Sequence, residues 1–146
     1  MLTAVAAHPA LDTKALERIV RQHPKSKGRV FSKYELVRGV RHLSTRLGLD
    51  EQGLIEKLRM KPMRTHSGVA PVTVLSKPFP CPGRCIFCPN DVKMPKSYLS
   101  MEPGAQRAAQ HRFDPYAQTM SRLIVFFGNG HPVDKVELIV LGGTWS

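Results

Sequence analysis

Three cysteines stand within eight positions of this 146-residue chain, spaced Cys81-x3-Cys85-x2-Cys88 in the stretch PCPGRCIFCP. They are all the cysteines the sequence has. A deprotonated thiol is a soft donor, suited to zinc and iron–sulfur clusters. Prolines and a glycine keep the stretch out of helix and strand, so it reads as a loop carrying ligands rather than as core. An odd count cannot be fully paired as disulfides. The start, MLTAVAAHPALD, has no basic segment leading into an apolar one, and so reads as no signal peptide. Together these features point to a reducing cytoplasm, where the thiols stay available for metal or redox chemistry.

Two metal chemistries fit. Three thiolates on a four-iron cluster leave one iron without a protein ligand, and that iron can take a small molecule. Two intervening residues let Cys85 and Cys88 face one centre, and three let Cys81 close the ring. A structural zinc ion would need a fourth ligand, which His66 or His111 could supply. The spacing leaves both open.

The loop must be held by its neighbours. VAPVTVLS, residues 69–76, is apolar and β-branched and reads as a strand, although Pro71 weakens its start. FDPYAQTMSRLIVFFGNG reads as a helix, capped by Asp114, with Pro115 in its first turn and Gly128-Asn129-Gly130 at its end. DKVELIVLGG, residues 134–143, is a second apolar strand. Strand, loop, helix and strand make a βαβ unit with parallel strands and a right-handed crossover. Both strands are continuous apolar runs, which predicts cover on both faces. The cysteine loop leaves the carboxyl end of the first strand, the face on which barrels of alternating strands and helices carry their chemistry. Two strands cannot bury a sheet by themselves. With Ser146 directly after the second, the chain reads as the front of a longer protein, or one part of a split one.

The front of the chain reads differently. LDTKALERIVRQH predicts a helix with Asp12 as cap and Ala15, Leu16, Ile19 and Val20 on one face. SKYELVRGVRHLSTRLG predicts another, with a Ser32–Glu35 capping box, a Leu36, Val37, Val40, Leu43 and Leu47 stripe, and Gly48 as its stop. DEQGLIEKLRM fits a third, capped by Asp50, and KPMRTHSG then reads as a linker. Residues 1–66 hold 14 Lys and Arg against 6 Asp and Glu, whereas residues 67–146 hold 8 against 5. A basic front of this kind is the footprint of a polyanion such as nucleic acid. Lys14, Arg18, Arg21, Lys25, Lys27, Arg29, Lys33, Arg38 and Arg41 are the candidate phosphate contacts. No apolar run approaches the length of a membrane span. The expected fold is therefore α/β: a basic helical module over 1–61, then over 62–146 the first βαβ unit of an incomplete TIM-like barrel.

The motifs also carry a resemblance. The C-x3-C-x2-C spacing with Phe87 before its last cysteine resembles the signature of radical S-adenosylmethionine enzymes. The strand end Gly142-Gly143-Thr144 resembles their second-strand glycine motif. RTHSGVAPVTVLSKP, SYLSMEPGAQRA, FDPY and GHPVDKVELIVLGGT are similar to the front of the catalytic subunit of the Elongator complex. That family implies a tRNA-modifying transferase that uses acetyl-CoA to build a carboxymethyl-type group at carbon 5 of the wobble uridine. It implies a 4Fe-4S cluster on Cys81, Cys85 and Cys88, with S-adenosyl-L-methionine on the open iron. Gly142, Gly143 and Thr144 would run beside the methionine part, Phe87 would lie near the adenine, and Lys135 would contact acetyl-CoA. The partners implied are tRNA and acetyl-CoA. The rest of the barrel and a GNAT-type acetyltransferase domain would come from a longer or second chain, and these 146 residues alone would not turn over. Eukaryotic members carry a longer insertion between the first two cysteines and usually Pro-Gly-Gly after the third; Pro89-Asn90-Asp91 stands here. The other reading, a non-catalytic RNA-binding module with structural zinc, rests on the same basic front and the same thiols.

Overall fold

The structure, a computed structural model, describes residues 1–83, 85–89 and 91–142. Among these residues it mixes six α-helices with two parallel strands, an α/β arrangement. The chain divides into two compact units: residues 1–67 with 126–132, and residues 68–125 with the chain from Val133 on.

The first unit is built on helices α1 (Leu2–Ala7), α2 (Thr13–Gln22), α3 (Lys33–Leu47) and α4 (Glu51–Leu58). Three of them start as their caps predict. The Asp12 carboxylate accepts from the Ala15 N–H at 2.6 Å, and that of Asp50 from the Gly53 N–H at 3.1 Å. At α3 the Ser32 hydroxyl accepts from the Glu35 N–H at 3.3 Å, while the Glu35 carboxylate accepts from the Ser32 N–H at 2.9 Å. Gly48 closes α3 in the left-handed region, at φ 61°. The apolar faces meet in one core: Leu16, Ile19 and Val20 of α2, Leu36, Val37 and Val40 of α3, and Leu54 and Leu58 of α4. Each such side chain contributes about 1.5–3 kcal/mol when fully buried. Helix α1 joins them through Leu2 and Val5. It has six residues and no side-chain cap, so packing rather than local sequence makes it a helix.

The Lys25 ammonium pairs with Glu35 and lies 4.9 Å from the centre of the Phe31 ring. The Glu35 carboxyl is thereby held down at about 2, first by Lys25 and then by the N–H and hydroxyl of Ser32. A carboxyl depressed on folding stabilises above its ordinary value of 4.5, and the effect is lost as pH falls from there through about 2. The gap in melting temperature between wild type and Glu35→Gln is therefore expected to narrow over that range. A gap independent of pH would refute this account of the helix start.

The stretch expected to be a linker, residues 61–68, is exposed except at Thr65. A 3₁₀ turn over Pro62–Thr65 buries Thr65, whose hydroxyl lies 2.9 Å from Nδ1 of buried His131. The His131 ring meets Phe126 edge-on at 5.3 Å. Two buried polar groups need partners, and each supplies one for the other.

In the second unit, β1 (Ala70–Leu75) and β2 (Val136–Leu141) pair parallel, from Ala70 opposite Val136 to Leu75 opposite Leu141. The Ala70 N–H donates to the Lys135 carbonyl and the Ser76 N–H to the Leu141 carbonyl. Even-numbered residues thus face β2, so the N–H that Pro71 lacks would point to the outer edge and costs the ladder nothing. Helices α5 (Pro103–Gln110) and α6 (Pro115–Gly128) lie between the strands in sequence. Asp114 caps α6 by accepting from the Ala117 N–H at 2.6 Å. Helix α5 lies inside what reads from sequence as loop, and packs Ala105 and Ala108 with Leu75 and Met94.

The expected cover on both faces fails for β2. Residues of β1 alternate buried and half-buried, but Val136, Leu138, Ile139 and Val140 are exposed. The physical reason is the lack of further layers: among the described residues β1 is the strand that pairs with β2, and β2's second edge has no neighbour. Among the described residues no helix is long and apolar enough to cross a membrane.

Candidate functional site

Parallel pairing decides what meets what. Both strands end at the same side of the sheet, with Leu75 opposite Leu141. The cysteine loop leaves that end of β1, and Gly142 leaves the same end of β2. Gly143 and Thr144 lie outside the described residues. Lys135 stands before Val136, at the opposite end of the strand. Six residues of strand at about 3.3 Å each put roughly 20 Å between those ends. The pairing brings Gly142 to the loop end of the sheet and Lys135 to the other.

The end of β1 is locked from outside. The Leu75 N–H donates to Gln118 Oε1 at 3.0 Å, and Gln118 Nε2 donates to the Leu75 carbonyl at 3.0 Å. Gln118 is buried on α6 and does for this edge what a neighbouring strand would do. A lone glutamine in a helix gives no sequence signal of such a role, and Gln118 is a residue that sequence reasoning misses.

Beyond β1 the three cysteines are thiols rather than a disulfide pair, with Cys85 exposed and the other two half-buried. The Gly83 N–H donates toward Cys81 Sγ at 3.4 Å. A side-chain carbon on Gly83 would stand 3.4 Å from that sulfur and 3.8 Å from Cys85 Sγ, so the two sulfurs flank this glycine. The Cys88 N–H donates to the Cys85 carbonyl at 3.2 Å, closing a turn that presents Ile86 and Phe87 to solvent. Cys88 Sγ lies 3.8 Å from the Pro89 carbonyl and 3.9 Å from Ser97 Oγ. Cys81 and Cys85 are thus drawn together while Cys88 faces Ser97. Among the described residues no three His, Cys, Asp or Glu side chains converge on one point. The donor set itself, three accessible sulfurs on one short loop with a backbone N–H aimed at one of them, fits a three-thiolate cluster site.

The next stretch is pinned by Asp91, also missed from sequence. Its carboxylate accepts from the Lys93 N–H at 3.0 Å and the Ser100 N–H at 2.9 Å. The Lys93 N–H, then the hydroxyl and N–H of Ser100, hold this carboxyl below its ordinary value. An acid two residues before its N–H donor is the signature of an Asx turn, the signal available in the sequence.

The basic residues divide into two groups. Lys14, Arg18 and Arg21 recur along α2 opposite its buried face, and with Lys27, Arg29 and Arg38 they are exposed. Arg21 also lies 3.7 Å from Glu17, an exposed pair of little energetic weight. Lys33, Lys25 and Arg41 are half-buried. Lys25 is engaged with Glu35, as above. The Arg41 guanidinium donates to the Phe127 carbonyl at 2.9 Å and lies 3.3 Å from the centre of that ring. Burial lowers its pKa. Lys25 and Arg41 thus have intramolecular partners that a phosphate would have to displace.

No protein-family model matches the chain. It is 48% identical over 98 residues to a protein of Methanocaldococcus infernus named tRNA uridine(34) acetyltransferase, a match covering 63% of this chain and 18% of that one. A protein of the same name from Dehalococcoides mccartyi is 49% identical over 82 residues, 56% of this chain and 18% of its own. Elongator complex protein 3 of Schizosaccharomyces pombe is 42% identical over 106 residues, 65% of this chain and 20% of its own. The chain therefore spans about a fifth of the length of these relatives. Over most of its length it is a homologue of one segment of the proteins named tRNA uridine(34) acetyltransferase and Elongator complex protein 3.

Proposed function

We propose that this chain is the N-terminal part of an enzyme that modifies uridine 34, the wobble position of tRNA. The observation that carries the reading is the 42–49% identity to proteins so named. In detail, the enzyme is a radical S-adenosylmethionine transferase that uses acetyl-CoA to form a carboxymethyl-type group on the uridine. Cys81, Cys85 and Cys88 hold a 4Fe-4S cluster. When bound, the cluster supplies the electron that cleaves S-adenosyl-L-methionine and starts radical chemistry.

The chain's own residues bind and position. Gly142 lets a ligand approach the strand end closely, since it carries no β-carbon; Gly143 and Thr144 are assigned to the same ligand on the motif alone. Phe87 and Ile86, exposed beside the sulfurs, offer apolar cover for an adenine and help to exclude water. Acetyl-CoA as donor rests on the relatives' name, and Lys135, at the far end of β2, stays outside this assignment. The rest of the barrel and an acetyltransferase domain come from further polypeptide. The bare edge and exposed apolar residues of β2 support that reading, since a third parallel strand would pair the edge and its crossover helix would cover the face. The location proposed is the cytoplasm.

The tRNA part of the reading is tested through charge. Lys14, Arg18, Lys27 and Arg29 are exposed, and such side chains position a phosphate backbone without reading bases. Each contact releases counterions, so changing all four to glutamine is expected to reduce the slope of log affinity against log salt by about 3 to 4. Fluorescence anisotropy with labelled tRNA reads this slope. A slope equal to wild type would remove these residues from the interface.

A further inference from the structure

Among the described residues, a contact from outside the three thiols bears on the cluster site. Ser97 Oγ lies 3.9 Å from Cys88 Sγ, nine residues along the chain. Ser97 has φ 76°, in the left-handed region where a β-carbon is strained and glycine is at ease. Such a backbone persists only where its surroundings hold it. The surrounding turn is held from several sides. Asp91 accepts from the N–H groups of Lys93 and Ser100, and the Tyr98 N–H donates to the Pro95 carbonyl at 3.1 Å. The Leu99 N–H donates to the Glu102 carboxylate at 3.2 Å, and Met94 and Pro95 are buried beneath. The hydroxyl is carried by a braced turn rather than a loose one.

We propose that Ser97 is a positioning residue for the Cys88 ligand, donating a hydrogen bond to its sulfur and raising the reduction potential of the cluster. This rests on the cluster reading given above. A thiolate has no proton to donate, so once Cys88 ligates iron the hydroxyl is the donor of the pair. The bond withdraws charge from the sulfur and favours the more electron-rich, reduced form. Asp91 acts one step back, by bracing the turn that carries the hydroxyl.

The test compares the reconstituted wild-type chain with Ser97→Gly and Asp91→Ala in a redox titration followed by electron paramagnetic resonance. Glycine suits φ 76°, so Ser97→Gly should melt no lower and load the same iron. At the wild-type midpoint its ratio of reduced to oxidised cluster is expected to fall roughly three- to tenfold, where tenfold is ~59 mV for one electron. Asp91→Ala should shift the ratio the same way. An unchanged midpoint in Ser97→Gly overturns the inference and leaves the cluster reading intact. Loss of iron in Ser97→Gly also overturns it, because the hydroxyl would then be needed for binding rather than for the potential. A wild-type chain that takes up no cluster overturns both.

Discussion

Replacing Cys85 by alanine is expected to abolish stable cluster uptake. Anaerobic reconstitution of the wild-type chain with iron and sulfide should give a brown protein with about four irons per chain. Cys85→Ala should stay nearly colourless, because a cluster held by two sulfurs has lost a third of its protein ligands. Cys81→Ala and Cys88→Ala should behave alike, since each sulfur would occupy one corner. The effect separates cleanly from folding. Cys85 is exposed, so its truncation should leave the melting temperature of the metal-free chain unchanged. Full iron loading by all three variants would end the proposal that these thiols hold a cluster. Stoichiometric zinc with no iron uptake in the wild type would replace it with a structural metal site.

The largest stability effect should come from a residue without chemistry of its own. Gln118→Leu keeps the buried volume but removes both hydrogen bonds to Leu75. It leaves a buried N–H and a buried carbonyl unpaired, and each orphan costs about 1–3 kcal/mol. The chain should lose roughly 2–4 kcal/mol in chemical denaturation, allowing for partial relief by water. Hydrogen exchange at the Leu75 amide should accelerate with it. A loss below about 0.5 kcal/mol, the range of an ordinary surface change, would show that the edge of β1 needs no such lock.

How far the sequence reveals this fold follows from the range of the forces involved. Signals within one turn of chain were readable. Asp12, Ser32 with Glu35, Asp50 and Asp114 all cap the helices they were expected to cap. The two strands pair parallel, as a βαβ reading requires. Features set by distant partners were not readable. Helix α1 lacks a side-chain cap and depends on burying Leu2 and Val5, and α5 also lacks one and depends on Ala105 and Ala108 beneath it. Thr65 reads as part of a linker until its partner His131, 66 positions away, is seen. The apolar run of β2 predicts burial that needs elements which the described residues do not supply. At the candidate site the thiols were evident from spacing, and the shared strand end of the loop and Gly142 followed from parallel topology. The separation of Lys135 from that end also follows from topology, but appears only when the register is known.

The lock on β1 has a consequence for how the chain is made. Gln118 lies 43 positions after Leu75, so at about 5–20 residues per second it leaves the ribosome roughly 2–9 s later. Val136 is synthesised later still. The nascent strand can therefore engage its own glutamine at Leu75 while β2 is still inside the exit tunnel. Vectorial synthesis thus lets the outer edge of β1 be occupied at Leu75 before β2 arrives, which disfavours a wrong pairing at that end of the strand.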